Sequence, residues 1–131
     1  MFVLDTNTLI YFFKGLGQVK TRMMDHSPQE IGIPTVVIYE LFVGIEKSSF
    51  SEQRSKQLHR LIRTVNVLPF DLSASIHAAR IRVHLETIGQ KIGPMDTLIA
   101  AIARANQGVI VTHNTREFSR VPDLLMEDWY T

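Results

Sequence analysis

The sequence contains no cysteine and no long apolar run, and each absence excludes a class of protein. Without thiols there is no disulfide framework, no zinc site with cysteine ligands and no thiolate nucleophile, so oxygen and imidazole groups must carry any chemistry. Apolar runs such as residues 98–103 are far shorter than the ~20 residues that a transmembrane helix needs. The residues that follow Met1 lack the basic start of a signal peptide. We therefore expect a soluble, cytoplasmic protein.

The composition is typical of one folded domain. The chain has 131 residues, of which 45% are hydrophobic and 21% are charged. No repeat, linker or low-complexity segment divides it, so we expect a single domain over residues 1–131. The 14 basic residues nearly balance 13 acidic ones; if four acids share one pocket, nine remain to oppose the 14 bases. Such a surface suits a polyanionic partner.

Short apolar runs alternate with helical segments along the chain. We predict strands at residues 2–4, 31–33, 65–69, 109–112 and 124–126, and helices at residues 8–13, 35–46, 51–63, 72–88 and 94–106. This alternation indicates an α/β sandwich with a mostly parallel sheet, in which ligands bind beyond the carboxyl ends of the strands. Asp5 and Thr112 both follow a strand, so we expect both of them to face the same crevice.

Two acids lie in helical segments that are otherwise apolar. The helix-face neighbours of Glu40 are valine and glycine, so a core-facing carboxylate there needs a base, a proton or a metal to compensate it. If that face is partly exposed, Glu40 is instead an ordinary helix former. Asp96 is the only acid between Pro94 and Ala103. It stands at the third helical position, where an acid also stabilises the helix dipole without any chemical role.

Two further acids follow predicted strands. Asp5 either caps the next helix or projects into the crevice. Glu117 lies in the segment after the strand at 109–112, and Asn114 precedes it by three residues. That spacing is also typical of a capping box, which would explain both residues without chemistry.

Several carboxylates without thiols or paired imidazoles form the ligand set of a hard cation. Their mutual repulsion would be relieved by Mg²⁺, which prefers octahedral oxygen coordination, and Mn²⁺ accepts the same ligands. The five histidines show no zinc-ligand spacing. A magnesium ion that keeps bound water supplies the nucleophile for phosphodiester hydrolysis, so the pattern favours a nuclease.

Four short motifs resemble, in order and spacing, the PIN-domain ribonucleases, and more narrowly the VapC toxins of bacterial toxin–antitoxin pairs. They cover residues 3–7, 39–41, 93–100 and 111–118. The resemblance implies a three-layer α/β sandwich, with a central mostly parallel sheet flanked by helices. It also implies a Mg²⁺-dependent endoribonuclease that cleaves tRNA, with the anticodon loop of initiator tRNA as the leading candidate.

The same resemblance implies the site residues. Asp5, Glu40 and Asp96 would be the catalytic, metal-binding acids. The fourth acidic position varies within the family, and Asn114 stands where an aspartate is often found. We take Glu117 as the fourth catalytic and metal-binding acid, with Asn114 as a weaker ligand through its amide oxygen. Further groups would orient the carboxylates rather than bind metal, namely Thr6, Asn7, Thr97 and Thr112.

The partners implied by the resemblance are a VapB-type antitoxin, an RNA substrate and a second copy of the chain in a homodimer. The C-terminal segment of the antitoxin would cover the site and place an arginine among the carboxylates. Ile38, Phe42 and Ile45 are candidates for its groove, although core packing explains them equally well. Basic residues of the helix at 51–63 are candidates for phosphate contacts.

Two other functions compete with the nuclease. In a phosphotransferase similar to haloacid dehalogenases, Asp5 would be a covalent nucleophile, but those enzymes have a second aspartate where this chain has Asn7. In a metal-poor module that binds RNA or protein, the site would have decayed through Asn114. Failure of the free protein to bind Mg²⁺ or Mn²⁺ would favour this module.

Overall fold

Five short strands form one parallel sheet in the computed structural model, which describes residues 1–131. Their order across the sheet is β3-β2-β1-β4-β5, and each neighbouring pair is parallel. The strands are β1 (Phe2–Leu4), β2 (Ile31–Pro34), β3 (Asn66–Leu68), β4 (Val109–Val111) and β5 (Leu125–Glu127). Because β1 is central, the residue after it lies between the carboxyl ends of β2 and β4.

Helices connect the strands and pack on the sheet. They are α1 (Thr6–Lys14), α2 (Val19–Met24), α3 (Thr35–Glu46), α4 (Ser51–Ile62), α5 (Leu72–Thr87), α6 (Pro94–Ala105) and α7 (Thr115–Phe118), with a short 3-10 helix at Pro28–Glu30. No helix combines the length and the apolar character needed to span a membrane.

The helix boundaries follow from local chemistry. Asp5 caps α1 by accepting a hydrogen bond from the backbone N–H of Thr8 at 2.9 Å. The helix ends at Gly15, which adopts a left-handed conformation with φ of 69°. Pro94 occupies the first turn of α6, where its missing N–H has no cost. Asp5 and Asp96 therefore both lie at the N-terminal ends of helices.

The core contains the inner faces of the strands and most of α6. Four successive residues of α6, from 100 to 103, are completely buried, and three of them are alanines. Such small side chains allow α6 to lie close to α5 and to the sheet. Trp129 is also buried, at 1% exposure, although it lies in an irregular segment after β5.

The predicted fold class is confirmed, and every predicted strand and helix is present within a few residues. Helix α1 begins two residues earlier than predicted because Asp5 supplies its cap. The sequence pattern did not predict α2, α7 or the 3-10 helix. These elements have only six, four and three residues, so they are too short for a helical period to be recognised.

Candidate active site

Asp5 is the most buried acid of the chain, with 4% exposure at the carboxyl end of β1. One carboxylate oxygen accepts the N–H of Thr8, and the other accepts the hydroxyl of Thr112 at 2.6 Å. Burial raises the pKa of Asp5 above its ordinary value; the hydrogen bonds from Thr112 and Thr8 oppose that rise, and the charge of Glu40 adds to it. Asp5 thus both caps α1 and faces the crevice.

Glu40 lies on α3, beside the carboxyl end of β1. It is half-buried, and its Oε1 accepts a hydrogen bond from the hydroxyl of Thr6 at 2.6 Å. Thr6 is the residue directly after Asp5, so this bond joins the first turn of α1 to the middle of α3 across the site. Glu40 is therefore held toward Asp5 rather than free in solvent.

The negative charges of the other three acids act on Asp96. It is half-buried in the first turn of α6 and has no hydrogen-bonding partner among the side chains. Burial is the largest cause, and the charges of Asp5, Glu117 and Glu40 follow in that order; together they raise the pKa of Asp96 from 3.8 to about 6. Charges act at this strength only over short distances, so the four carboxylates share one region.

Asn114 and Glu117 bond to each other at the end of β4. The amide nitrogen Nδ2 of Asn114 donates to Oε2 of Glu117 at 3.0 Å, while the backbone N–H of Asn114 donates to the hydroxyl of Thr112 at 2.9 Å. The capping box suggested by their spacing is absent, because Asn114 makes no side-chain capping bond to α7. Glu117 is instead directed by the amide of Asn114.

The remaining predicted residues divide between the site and the scaffold. Thr6, Thr112 and Asn114 each touch one of the carboxylates. Thr97 departs from its expected role, since its hydroxyl donates to the backbone carbonyl of Gly93 one helical turn earlier. Asn7 is exposed and makes no side-chain hydrogen bond.

Thr8 belongs to the site but was missed in the sequence. Besides its N–H contact with Asp5, its buried hydroxyl donates to the carbonyl of Val111 at 3.0 Å, which fixes α1 against β4. The available signal was its position three residues after a capping aspartate, where the N–H of a helix is unpaired.

The electrostatics and the donor set fit a divalent cation. None of the four carboxylates forms a salt bridge with a lysine, arginine or histidine. Their oxygens are the ligands that Mg²⁺ and Mn²⁺ prefer. As they stand, however, no three Asp, Glu or His side chains of the chain are close enough together to hold one ion. The four acids lie in one region of the structure, but they do not form a complete coordination shell.

Comparison with known proteins identifies the family of this site. The family model described as "PIN domain" matches residues 2–124. The chain belongs to the PIN-domain family. This PIN domain is 36% identical to "tRNA(fMet)-specific endonuclease VapC" of Shigella flexneri, over 98% of its own length and 97% of the relative. It is 30% identical to "Ribonuclease VapC2" of Rickettsia felis, over 98% of both chains.

Solved structures give the same result. The PIN domain superimposes with a TM-score of 0.91 on a chain of the DNA-bound VapBC complex from Salmonella typhimurium, at 36% identity and covering 98% of this chain and 97% of that one. For VapBC2 of Rickettsia felis, bound to a promoter DNA fragment, the TM-score is 0.90 at 30% identity, with 98% of both chains covered.

The family resemblance is thereby confirmed: this PIN domain is a ribonuclease-type enzyme similar to VapC. Nucleases of the family generally use a divalent metal. The phosphotransferase interpretation is not supported, because the chain matches a nuclease family along nearly its whole length.

Proposed function

We propose that this PIN domain is a Mg²⁺-dependent endoribonuclease that serves as the toxin of a type II toxin–antitoxin pair and cleaves tRNA. The single observation that carries the metal dependence is the raised pKa of Asp96, whose three neighbouring acids lack any cationic partner. A divalent ion bound among these carboxylates would relieve that repulsion and favour the ionised form of Asp96. This arrangement fits one domain over residues 1–131.

Asp5, Glu40, Asp96 and Glu117 are the residues that would hold the metal and act as the catalytic acids. When bound, Mg²⁺ or Mn²⁺ would activate water and stabilise the charge that develops on the cleaved phosphodiester. The carboxylates would have to draw closer together than they stand to ligate one ion. Thr112 and Thr6 hydrogen-bond Asp5 and Glu40, and Asn114 hydrogen-bonds Glu117, so these side chains would orient the acids toward the metal.

The proposed substrate is tRNA, and initiator tRNA cut in its anticodon loop is the leading candidate. Support comes from relatives in Shigella flexneri and Salmonella typhimurium, both named tRNA(fMet)-specific endonucleases, at 36% and 35% identity over 98% of this chain. A tRNA substrate also implies that the enzyme works in the cytoplasm.

A VapB-type antitoxin is the proposed protein partner, because the similar solved structures are VapBC complexes. An antitoxin arginine placed among the carboxylates would neutralise their charge and block metal binding. Ile38 and Phe42 are half-buried on α3 and remain candidates for its groove, whereas Ile45 is buried at 9% exposure and serves mainly the core. The homodimer stays a prediction.

One experiment tests reaction and substrate together. Purified protein is incubated with total tRNA in Mg²⁺ and in EDTA, beside the Asp5→Asn variant. We expect discrete tRNA fragments only for the unsubstituted protein in metal. Full cleavage by Asp5→Asn would remove the mechanism, and cleavage of other RNAs in preference to tRNA would replace the substrate.

A further inference from the structure

A groove beside the carboxylates is lined by both apolar and basic side chains. It encloses about 260 Å³ between α1, α3 and α4, and Glu40 forms part of its wall. Its apolar lining comes from all three helices, namely Ile10, Phe13, Leu41, Ile45 and Leu58. The groove therefore runs from the candidate active site along a largely apolar floor.

Two cations line the same groove from different helices. Lys14 lies in the last turn of α1, and Arg54 lies in the first turn of α4. Both side chains are exposed, and neither forms a salt bridge, even though Glu40 lines the same space. Lys56, on the same helix as Arg54, differs in both respects: it pairs with Glu52 at 3.5 Å and does not line the groove. The groove thus holds two positive charges that form no salt bridge within the chain.

The size of the groove indicates what it binds. Sites that enclose a whole small molecule have volumes of ~300–1,000 Å³, so this groove matches part of a longer ligand that extends beyond it. An RNA strand is such a ligand, because its phosphates bind cations and its bases pack on apolar surface. A protein segment would use the apolar floor but would require acidic residues to match the two cations.

We propose that the groove binds the RNA strand next to the scissile bond, with Lys14 and Arg54 contacting phosphates and the apolar floor holding a base. The proposal rests on the proposed ribonuclease function and names the part of the chain that places the substrate. Lys14 and Arg54 orient the RNA, while the carboxylates carry the chemistry.

Gly44 provides a steric test of the groove that leaves charge unchanged. It lies one helical turn after Glu40 and lines the groove, and a Cβ built on it meets no atom within 4 Å. Replacement of a helical glycine removes its conformational entropy cost, so Gly44→Met should keep α3 folded. Its side chain would then occupy the space that we assign to RNA.

The test is RNA binding, measured separately from cleavage. In EDTA, with Asp96→Asn as background so that no RNA is cut, fluorescence anisotropy follows a labelled single-stranded RNA of mixed sequence over a range of KCl concentrations. We expect Lys14→Ala and Arg54→Ala each to weaken binding several-fold and to reduce the slope of log affinity against log salt by ~0.7. Gly44→Met should weaken binding without changing that slope.

Lys56→Ala is the matched control, because it removes the same charge from the same helix outside the groove. An effect of Lys56→Ala as large as that of Arg54→Ala would overturn the proposal in favour of general charge attraction. Unchanged affinity in the Lys14, Arg54 and Gly44 variants would also overturn it and leave a protein segment as the occupant. Binding is measured without catalysis, so the two proposals can fail separately: RNA binding through Lys14 and Arg54, combined with no cleavage of tRNA by the unsubstituted protein in Mg²⁺, would refute the nuclease and keep the groove.

Discussion

Thr112 and Asp5 are joined by a hydrogen bond of 2.6 Å, in which the fully buried hydroxyl of Thr112 donates to the carboxylate at the end of the neighbouring strand. That hydroxyl also accepts the backbone N–H of Asn114 at 2.9 Å. A single side chain thus connects the ends of β1 and β4 and fixes the segment that carries Glu117.

Thr112→Val should therefore affect both stability and metal binding. The substitution keeps the shape but removes a hydrogen bond to a charged group, which contributes ~1.5–3 kcal/mol, and leaves the N–H of Asn114 unpaired. The bond also lowers the pKa of Asp5, so its loss raises that pKa further. We expect a lower free energy of unfolding in urea, weaker Mn²⁺ binding by calorimetry and a pH profile of cleavage moved to higher pH.

Thr112→Ser separates the role of the hydroxyl from packing. Serine keeps the donor and loses one methyl group, so it should restore the pH profile while remaining somewhat less stable than threonine. If Thr112→Val and Thr112→Ser show the same pH profile, the hydroxyl does not position Asp5.

The raised pKa of Asp96 predicts a pH-dependent stability in the absence of metal. Its folded pKa of about 6 exceeds the ordinary 3.8, so the folded state holds a proton that the unfolded state has released between these values. Stability from this group is therefore greatest below about pH 4 and decreases as pH rises through 6. Asp96→Asn should gain on the order of 1 kcal/mol at pH 7, after allowance for solvent screening, and nothing below about pH 4.

Urea unfolding in EDTA at several pH values measures this difference, with Glu46→Gln, an exposed acid at the end of α3, as the control. The Asp96→Asn variant should be more stable at neutral pH and yet inactive toward RNA. Equal stability of wild type and variant across the whole pH range would show that neither burial nor the other carboxylates raise the pKa of Asp96.

The sequence predicts the fold well because β-branched runs, glycines and prolines act locally. It left open whether Asp5 caps a helix or faces the site, and the structure shows both, since a carboxylate has two oxygens. Spacing alone was misleading for Asn114 and Glu117. A capping box needs backbone N–H groups as partners, but Glu117 bonds to the amide of Asn114 and the N–H of Asn114 is taken by Thr112.

The grouping of Lys14 and Arg54 in one groove could not be predicted from the sequence. Arg54 belongs to a basic helix whose residues look equivalent in sequence, and Lys14 ends a different helix 40 positions earlier. Only the packing of α1 and α4 on α3 brings them to one cavity. The placement of residues so far apart in sequence depends on tertiary contacts, and a local sequence pattern does not predict such contacts.

Asn114→Asp should make the protein more dependent on metal. It replaces an amide that donates to Glu117 at 3.0 Å with a carboxylate that repels it. In EDTA we expect a lower melting temperature than wild type, whereas saturating Mn²⁺ should raise the melting temperature by more than it does for wild type, because a further anionic ligand is available. Differential scanning fluorimetry over a Mn²⁺ titration measures both effects.

Asn114→Ala is the control for that titration, because it removes the hydrogen bond and adds no charge. It should lower the melting temperature in EDTA by less than Asn114→Asp and show no additional metal stabilisation. A smaller metal response in Asn114→Asp than in wild type would mean that this position lies outside the metal site.

The C-terminal segment should be held mainly by Trp129 and secondarily by Arg22. Arg22 donates to the backbone carbonyl of Asp128 at 2.7 Å, and its Nη2 lies 3.6 Å from Glu127; this partly exposed ion pair alone contributes only ~0.2–1 kcal/mol. Trp129 is 1% exposed, stacks on His26 at 5.2 Å and donates its indole N–H to Glu127 at 2.9 Å. Trp129→Ala should therefore cost ~3–5 kcal/mol of unfolding free energy, well above the loss in Arg22→Ala. Urea unfolding measures both. Because β5 pairs with β4, which ends directly before Thr112, a Trp129→Ala variant that folds should also lose cleavage activity. Full stability with Trp129 removed would contradict this account of the segment.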